Sequence, residues 1–287
     1  MRFLNYFLFF ILIISTAYSK ENSTQIGIVS NKIFITKKEA MIAAKAWTKY
    51  MASKGYENVT IKFYKDENIL IDDYVNNRIE TLTATYQMYF NNKQLLNRVS
   101  KKRWIPTVSE DIFEQYYLIK NKDSNLTLNT LNKASLYYMN SIGKTWVDFV
   151  IMKEYRKSIK KVFSKIIKTK KPQKSIFNVF FNKNSVSVVS KKLFNDMLEL
   201  NPQIKNKIEI LKKSKAIFLS GVGFTNKKIN PYYENMHDSV KEDMGKNGKI
   251  ILSPAVKIYD FYKINDEELK PLDRFFENFF NLKKLYN

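Results

Sequence analysis

The residues best suited to chemistry lie in the short polar segment NSIGKT, residues 140–145, which an apolar run follows directly. Ser141 and Thr145 supply hydroxyl donors, Lys144 supplies positive charge, and Gly143 allows another group to approach the backbone closely. The first N–H groups of a helix lack internal partners and favour an anion, so the segment predicts an anion-binding loop. Ser and Thr are also preferred helix caps. The local pattern leaves both interpretations open.

Catalytic chemistry has little support in the composition. The chain has no cysteine, which excludes disulfides, thiolate metal sites and a cysteine nucleophile. Its one histidine, His237, lies in the helix-like stretch YYENMHDSVKEDM, where we expect a surface or half-buried position. There is no Ser/His/Asp order, metal-ligand spacing or phosphate-binding glycine loop. The sequence therefore predicts a protein that is not an enzyme and that carries no metal or cofactor.

The elements that must position NSIGKT alternate between strand-like and helix-like patterns from residue 31 onward. NKIFIT predicts a strand, and KKEAMIAAKAWTKYMASKG predicts a helix that stops at Gly55. NVTIKFY, DENILIDDYVNNR and IETLTATY then predict a strand, a short helix and a third strand. We expect a helical stretch to about Arg103 and a break at Pro106. This alternation favours an α/β fold with a mostly parallel sheet.

A second unit of the same kind starts after Pro106 and contains NSIGKT. Beyond it, residues 156–174 hold nine Lys or Arg and no acidic residue. Apolar residues at helical spacing predict a basic amphipathic helix there, which either faces solvent or lies on an anionic membrane surface. The short run KIIKT within it also fits a strand.

The N-terminus and the net charge bear on location and partners. Arg2 precedes an apolar run from Phe7 to Ile14, and Ala17-Tyr18-Ser19 has the small residues of a signal peptidase site. The run is shorter than the roughly 20 residues that a membrane span needs, so we expect a signal peptide at residues 1–19, cleaved after Ser19. The formal net charge of +22 suits either a polyanion partner or Lys-rich codon bias. Export and the absence of a nucleic-acid-binding motif favour bias, and no nucleic-acid partner is expected.

Six pieces of the chain, in order and spacing, carry a resemblance to a known family. They are AKAWTKYMASKG, VTIKFYKDENILIDDYVNNRIE, TLTATYQMY, YYLIKNKDSNLTLNTLNKASLYYMNSIGKTW, VFFNKNSVSVVSKKLFNDMLELNPQI and GKIILSPAVKIYDFYKIND. Over residues 28–280 the chain resembles the phosphate/phosphite/phosphonate group of ABC-transporter substrate-binding proteins, which have the type 2 periplasmic binding fold. It departs from that group near Ser185 and Val186, where the family usually has an aspartate, and after TLTAT, where an acidic residue is common.

The resemblance implies an α/β protein of two lobes, each a mostly parallel sheet flanked by helices, with the ligand cleft between the lobes. Lobe 1 would comprise residues 26–108 and 215–287 and lobe 2 residues 109–214, with EQYYLIK and SKAIFLSGVGF as the crossovers. The family context favours the anion-binding interpretation of NSIGKT and adds candidates elsewhere. The implied ligand residues are Thr83, Thr85, Tyr86, Ser141, Gly143, Lys144, Thr145 and Ser190.

The function implied by the resemblance is capture of a small anionic solute, phosphate- or phosphonate-like, in the periplasm. The partner would be an ABC permease, and the protein is expected to act as a monomer. The same fold also serves as a ligand-sensing extracytoplasmic module for a histidine kinase or another membrane receptor, and this alternative stays open.

Overall fold

The computed structural model describes residues 23–29, 37–107, 111–219, 221–247, 249–251 and 257–286. The predicted signal peptide, residues 1–19, and the predicted strand NKIFIT lie outside the described residues. Contacts group the chain into two compact units. Unit 1 comprises residues up to Ala84, Asn92–Trp104 and Gly223–Phe261, and unit 2 comprises Thr85–Asn91, Ile105–Val222 and the residues from Tyr262 onward.

Strands and helices alternate along most of the described chain. The strands are β1 (Thr24–Val29), β2 (Val59–Tyr64), β3 (Thr81–Ala84), β4 (Ser100–Thr107), β5 (Tyr116–Asn121), β6 (Ser135–Tyr138), β7 (Lys165–Lys168), β8 (Ser185–Ser190), β9 (Ile208–Lys213), β10 (Val222–Asn226), β11 (Ile250–Ile251), β12 (Lys257–Ile258) and β13 (Asp260–Lys263). The helices are α1 (Lys37–Ser53), α2 (Glu67–Val75), α3 (Tyr86–Asn91), α4 (Lys93–Val99), α5 (Ser141–Tyr155), α6 (Ile159–Val162), α7 (Pro172–Phe181), α8 (Lys191–Leu200), α9 (Ile204–Lys207), α10 (Met236–Asn247) and α11 (Asp266–Tyr286), with a 3-10 turn at Pro231–Tyr233.

Unit 1 is built on a six-stranded mixed sheet with the order β13-β4-β10-β3-β1-β2. β1 pairs in parallel with β2 and β3, whereas β10 pairs with β4 in the antiparallel sense. One face of α1 packs on this sheet through residues spaced three or four apart, which fits the helical period. These residues are Ala40, Ala43, Trp47 and Met51.

An aromatic group completes the unit 1 core around the only histidine. Trp104 stacks on His237 with ring centroids 4.1 Å apart and meets Phe261 edge-on at 5.0 Å. A Cβ at Gly223 would overlap the Trp104 indole ring, so a residue without a side chain is required there. His237 is 7% exposed, and burial lowers its pKa to about 3. It is therefore a neutral core residue and not the surface or half-buried histidine expected from its helix-like stretch.

Unit 2 is built on a five-stranded mixed sheet with the order β7-β6-β8-β5-β9. β6 pairs in parallel with β7 and β8, and β5 pairs antiparallel to β8 and β9. All six residues of β5 and the first five of β8 are buried, so the centre of this sheet is covered on both faces. α7 and α8 contribute to the core on one side through Ile176, Phe194 and Met197. The alternating elements and two flanked sheets agree with the predicted α/β class, although both sheets are mixed.

Two predicted elements differ from the structure because local patterns were ambiguous. The helical stretch expected to reach Arg103 ends at Val99, and Ser100–Thr107 forms β4, which includes Pro106. The amphipathic helix expected over residues 156–174 is instead a single turn, α6, followed by the edge strand β7 at KIIK. The apolar residues at helical spacing serve both elements, so the period alone did not separate them.

The unit boundaries also differ from the predicted lobes. EQYYLIK contributes Tyr116–Lys120 to β5 within unit 2. Apart from the short segment Thr85–Asn91, the chain passes from unit 1 to unit 2 at residues 104–105 instead. SKAIFLSGVGF does contain a crossing, at residues 222–223. The C-terminal helix α11, expected in lobe 1, groups with unit 2, where it packs on α5 and α3.

Candidate functional site

The segment NSIGKT begins helix α5, as its pattern predicts, but the capping residue is Asn140. Asn140 has an extended backbone, and its Oδ1 accepts a hydrogen bond from the Gly143 N–H at 2.7 Å. Its side-chain amide donates to the Tyr116 hydroxyl, also at 2.7 Å. One side chain thus caps α5 and fixes the position of a buried tyrosine on β5.

Gly143 and Thr145 serve the helix itself. A Cβ at Gly143 would lie 3.2 Å from the Tyr116 ring and from Val188, so the glycine permits close packing of α5 on the sheet. The Thr145 hydroxyl donates to the Ser141 carbonyl oxygen at 3.0 Å. Gly143 therefore allows the approach of the Tyr116 ring, and the Thr145 hydroxyl donates within the helix. Both residues have structural roles where contacts with a ligand were expected.

The other two residues of the segment are more accessible. Ser141 is exposed, and the half-buried Lys144 places its ammonium 5.9 Å from the centre of the Tyr138 ring. Neither residue is among the described residues that line the cavity beside this helix start.

That cavity lies wholly within unit 2 and has a volume of about 260 Å³. It opens where β5, β6 and β8 meet the first turns of α5 and α8. The lining combines apolar walls with acidic, basic and amide groups: Asp111, Phe113, Glu114, Gln115, Tyr116, Met139, Asn140, Val188, Val189, Ser190, Lys191, Lys192, Leu193 and Asp196.

A short hydrogen-bond chain lies in the cavity wall. Asn140 donates to Tyr116, and the Tyr116 hydroxyl donates to Oε2 of Glu114. Burial raises the pKa of the Glu114 carboxyl above its ordinary value, and the hydrogen bond from Tyr116 opposes part of that shift. Burial also raises the pKa of the Tyr116 phenol well above its ordinary value, so the phenol stays protonated. Among the described residues, Glu114 has no basic partner, and its Oε1 accepts no hydrogen bond.

The opposite part of the wall is the start of helix α8. Ser190 ends β8 and caps α8, its Oγ accepting from the Leu193 N–H at 3.3 Å. The Lys191 N–H donates to the Gln115 carbonyl oxygen at 2.8 Å, which ties α8 to the chain just before β5. Lys192 is paired with Asp196 at 3.1 Å, whereas Lys191 is exposed and forms no ion pair with the described residues. The lining thus holds three carboxyls, Asp111, Glu114 and Asp196, and two ammonium groups, Lys191 and Lys192, with Lys192 and Asp196 paired to each other.

The remaining predicted ligand residues do not line this cavity. Thr83 is half-buried on β3 of unit 1. Thr85 caps the first turn of α3, with its Oγ1 accepting from the Met88 N–H at 3.2 Å. Tyr86 is 1% exposed, donates its hydroxyl to Asp273 at 2.8 Å and stacks on Phe276. We therefore leave Tyr86 out of the proposed ligand set, because its hydroxyl is bound within the core.

Of the eight sequence candidates, the structure brings Ser190 to the cavity, and it adds four residues that sequence reasoning missed: Glu114, Tyr116, Asn140 and Lys191. Asn140 had an available signal, because Asn before a helix start is a strong cap. Glu114 and Tyr116 lie in EQYYLIK, which the resemblance implies is a crossover, and no local pattern marks their side chains as ligands.

The described residues contain no group of three or more His, Cys, Asp or Glu placed to hold a metal ion. No helix within the described part of the chain is long and apolar enough to span a bilayer.

No protein-family model matches the chain, and no curated protein sequence matches it. Several solved structures do match the chain. XAC2383 from Xanthomonas citri, bound to chloride ion, aligns with a TM-score of 0.64 at 11% identity, covering 92% of this chain and 99% of that one. A binding protein component of an ABC phosphonate transporter, PA3383 from Pseudomonas aeruginosa, aligns with a TM-score of 0.61 at 13% identity, covering 91% and 87%.

PhnD1 from Prochlorococcus marinus (MIT 9301), solved with methylphosphonate, aligns with a TM-score of 0.53 at 11% identity, covering 92% of this chain and 99% of that one. At such identities the similarity establishes the fold and nothing finer. The chain has the fold of the periplasmic binding proteins. The fold predicted from the sequence is confirmed.

Proposed function

We propose that the protein is an exported solute-binding protein that captures a small anionic solute, phosphate- or phosphonate-like, and delivers it to an ABC permease. The observation that carries the proposal is the unit 2 cavity, whose lining includes the start of α8, the Lys191 ammonium, which forms no ion pair with the described residues, and the half-buried Glu114 carboxyl. The fold supports the same class of function, since PA3383 is a binding protein component of an ABC phosphonate transporter and PhnD1 was solved in complex with methylphosphonate. On this proposal the protein binds its solute without transforming it.

The anionic group of the solute would lie at the start of α8. A helix N-terminus stabilises an anion by about 0.3–1 kcal/mol when exposed and up to about 2 kcal/mol when partly buried. Lys191 adds a full positive charge, and the Ser190 hydroxyl adds a hydrogen-bond donor. These groups together attract a phosphonate or phosphate more strongly than the helix start alone.

Glu114 would select among anions by the proton that they carry. Its free Oε1 is an acceptor, so it favours a ligand with a P–OH group and repels a fully ionised one. Phosphate groups keep one proton up to about pH 6 and partly beyond, whereas sulfate has no proton at neutral pH. The cavity therefore fits a protonated oxyanion, or an anion with an amine, better than sulfate.

The cavity volume of about 260 Å³ suits a small solute of up to about ten heavy atoms. The best very small ligands gain about 1.5 kcal/mol per non-hydrogen atom. A five-atom solute such as methylphosphonate therefore reaches at most about 7.5 kcal/mol, which corresponds to a Kd of a few micromolar. We expect affinity in the micromolar range or weaker for such a ligand.

Isothermal titration calorimetry of residues 20–287 with phosphate, methylphosphonate and sulfate tests the proposal. We expect the phosphorus oxyanions to bind and sulfate to bind at least about tenfold more weakly. Lys191→Gln should weaken phosphonate binding about 5- to 20-fold by removing one nearby charge. Lys205→Gln, an exposed lysine of the same unit outside the cavity, is the matched control and should have no effect.

Glu114→Gln provides the second arm. It removes the negative charge while keeping the side chain's size, so we expect the preference for phosphonate over sulfate to fall about tenfold or more. Equal binding of all three anions by the parent protein, or an unchanged preference in Glu114→Gln, would contradict the assigned role of this carboxyl. No binding of any oxyanion would contradict the proposed ligand class.

A further inference from the structure

Residues 156–174, here called the basic edge, form one border of unit 2. They run from the end of α5 through α6 and the edge strand β7 into the first turn of α7. All nine of their Lys and Arg residues are exposed: Arg156, Lys157, Lys160, Lys161, Lys165, Lys168, Lys170, Lys171 and Lys174. The segment contains no acidic residue.

The charges of the basic edge are not neutralised within the described structure. None of its nine cations forms an ion pair with a described residue. Lysines elsewhere in unit 2 do so, for example Lys207 with Asp123 at 3.0 Å and Lys120 with Glu209 at 2.9 Å. The basic edge therefore concentrates positive charges that have no acidic partner among the described residues, whereas other lysines of the protein are paired.

Most of the apolar surface of the basic edge is used inside unit 2. Ile159, Val162 and Phe163 are each at most 5% exposed, and Ile166 and Ile167 of β7 are half-buried. The amphipathic helix that would insert an apolar face into a bilayer is absent, since α6 is one turn long and buries its apolar side. A partner of this surface is therefore held mainly by its charge.

We propose that the basic edge docks the protein on an anionic phospholipid surface. Its charges extend over nineteen residues of turn, helix, strand and loop, a spread that suits many headgroups rather than one site. A peptide added to β7 would pair with a strand of only four residues and leave most of these cations unused. A second copy of the chain is a poor partner, because each copy carries a net charge of +22.

The inference builds on the proposed export, which places the protein beside a membrane surface, but it does not depend on the identity of the solute. Surface-docked protein would stay near a membrane permease instead of diffusing away from it. Each Lys or Arg close to an anionic surface strengthens binding about fivefold, and salt weakens the attraction because the Debye length falls to about 8 Å at 0.15 M.

The test is co-sedimentation of residues 20–287 with vesicles of phosphatidylglycerol and phosphatidylcholine in equal amounts, compared with pure phosphatidylcholine. We expect binding to the anionic vesicles only, weakening steeply between 50 and 200 mM salt. The variant K160Q/K161Q/K165Q/K168Q should lower the partition coefficient by several hundred-fold, about fivefold for each of the four charges. The variant K37Q/K38Q/K45Q/K49Q removes four exposed lysines from α1 of unit 1 and is the control for general charge. It should lower binding at most about fivefold.

Equal losses in the two variants would overturn the proposal, because general net charge would then explain the attraction. Binding to an acidic peptide but not to anionic vesicles would also overturn it. The melting temperatures of both variants should match that of the parent, since all eight side chains are exposed. Calorimetry of the K160Q/K161Q/K165Q/K168Q variant with methylphosphonate separates this inference from the proposed function: solute affinity should be unchanged whether or not the vesicles bind.

Discussion

Replacing Asn140 by Ala should destabilise unit 2 more than any change at the two hydroxyl residues of NSIGKT. The change removes the cap acceptor for the Gly143 N–H, which costs about 0.5–2 kcal/mol. It also removes the donor to the buried Tyr116 hydroxyl, worth about 0.5–1.5 kcal/mol. Together we expect a loss of about 2 kcal/mol. Thr145→Val removes only the hydrogen bond to Ser141 within the helix, and we expect a change below about 0.5 kcal/mol.

Urea unfolding and hydrogen exchange measure this difference at two levels. The urea midpoint at constant slope gives the stability change, provided that the two units unfold together. If they unfold separately, hydrogen exchange of the peptide that covers residues 140–155 reports on α5 directly. Faster exchange in Asn140→Ala and parent-like exchange in Thr145→Val is the expected pair. A Thr145→Val protein that is as destabilised as Asn140→Ala would refute the assignment of the cap.

Two other predictions concern buried packing. Gly143→Ala should lower stability by about 1 kcal/mol or more, because its Cβ would crowd the Tyr116 ring, and this cost exceeds the gain from the better helix propensity of alanine. Thermal melting checks this prediction, and a stabilised variant would show that the ring can move aside. The second prediction concerns His237, whose pKa is lowered from the usual 6.5 to about 3 in the folded state. The stability contributed by the buried neutral imidazole is therefore fully present above about pH 6.5 and is lost as the pH falls toward 3, because the unfolded chain takes up the proton first. Between about pH 6 and pH 4 the parent should lose about 1.4 kcal/mol per pH unit more than His237→Phe, and parallel urea midpoints for the two proteins across that range would contradict the burial argument.

The fold was largely accessible from the sequence because the long helices and buried strands have distinct periods. The ends of α1 and β2 were predicted to within about two residues, and β3 lies within the predicted segment IETLTATY. The predictions were wrong where a short apolar run fitted both the helical and the strand period, as at KIIK. They were also wrong for β4, where Trp104 and Pro106 did not indicate a strand. The grouping of α11 with unit 2 depends on long-range packing of its phenylalanines, for instance Phe275 against Phe149 and Phe218, which no local pattern reports.

The site was less accessible for a related reason. The sequence located the start of α5 correctly, since a polar turn before an apolar run is a local signal. It did not assign the roles within that turn, because the partners of Asn140 and Gly143 come from Tyr116, more than twenty positions earlier in the chain. Glu114 had no motif around it, and its importance follows only from its half-buried place in the cavity wall and from its lack of a basic partner among the described residues.

Tyr116 determines the direction in which the hydrogen bonds of the cavity wall donate. Because its phenol stays protonated, it has one proton to donate, and the acceptor is Glu114. The Asn140 amide must then donate to the phenol oxygen, which leaves the amide oxygen of Asn140 to cap α5. This direction of donation fixes the amide orientation and leaves the free Glu114 oxygen as an acceptor whenever the carboxyl is ionised. The helix cap and the ligand acceptor are thus two ends of one hydrogen-bond chain, so a ligand that donates to Glu114 extends a network that is already ordered by the fold.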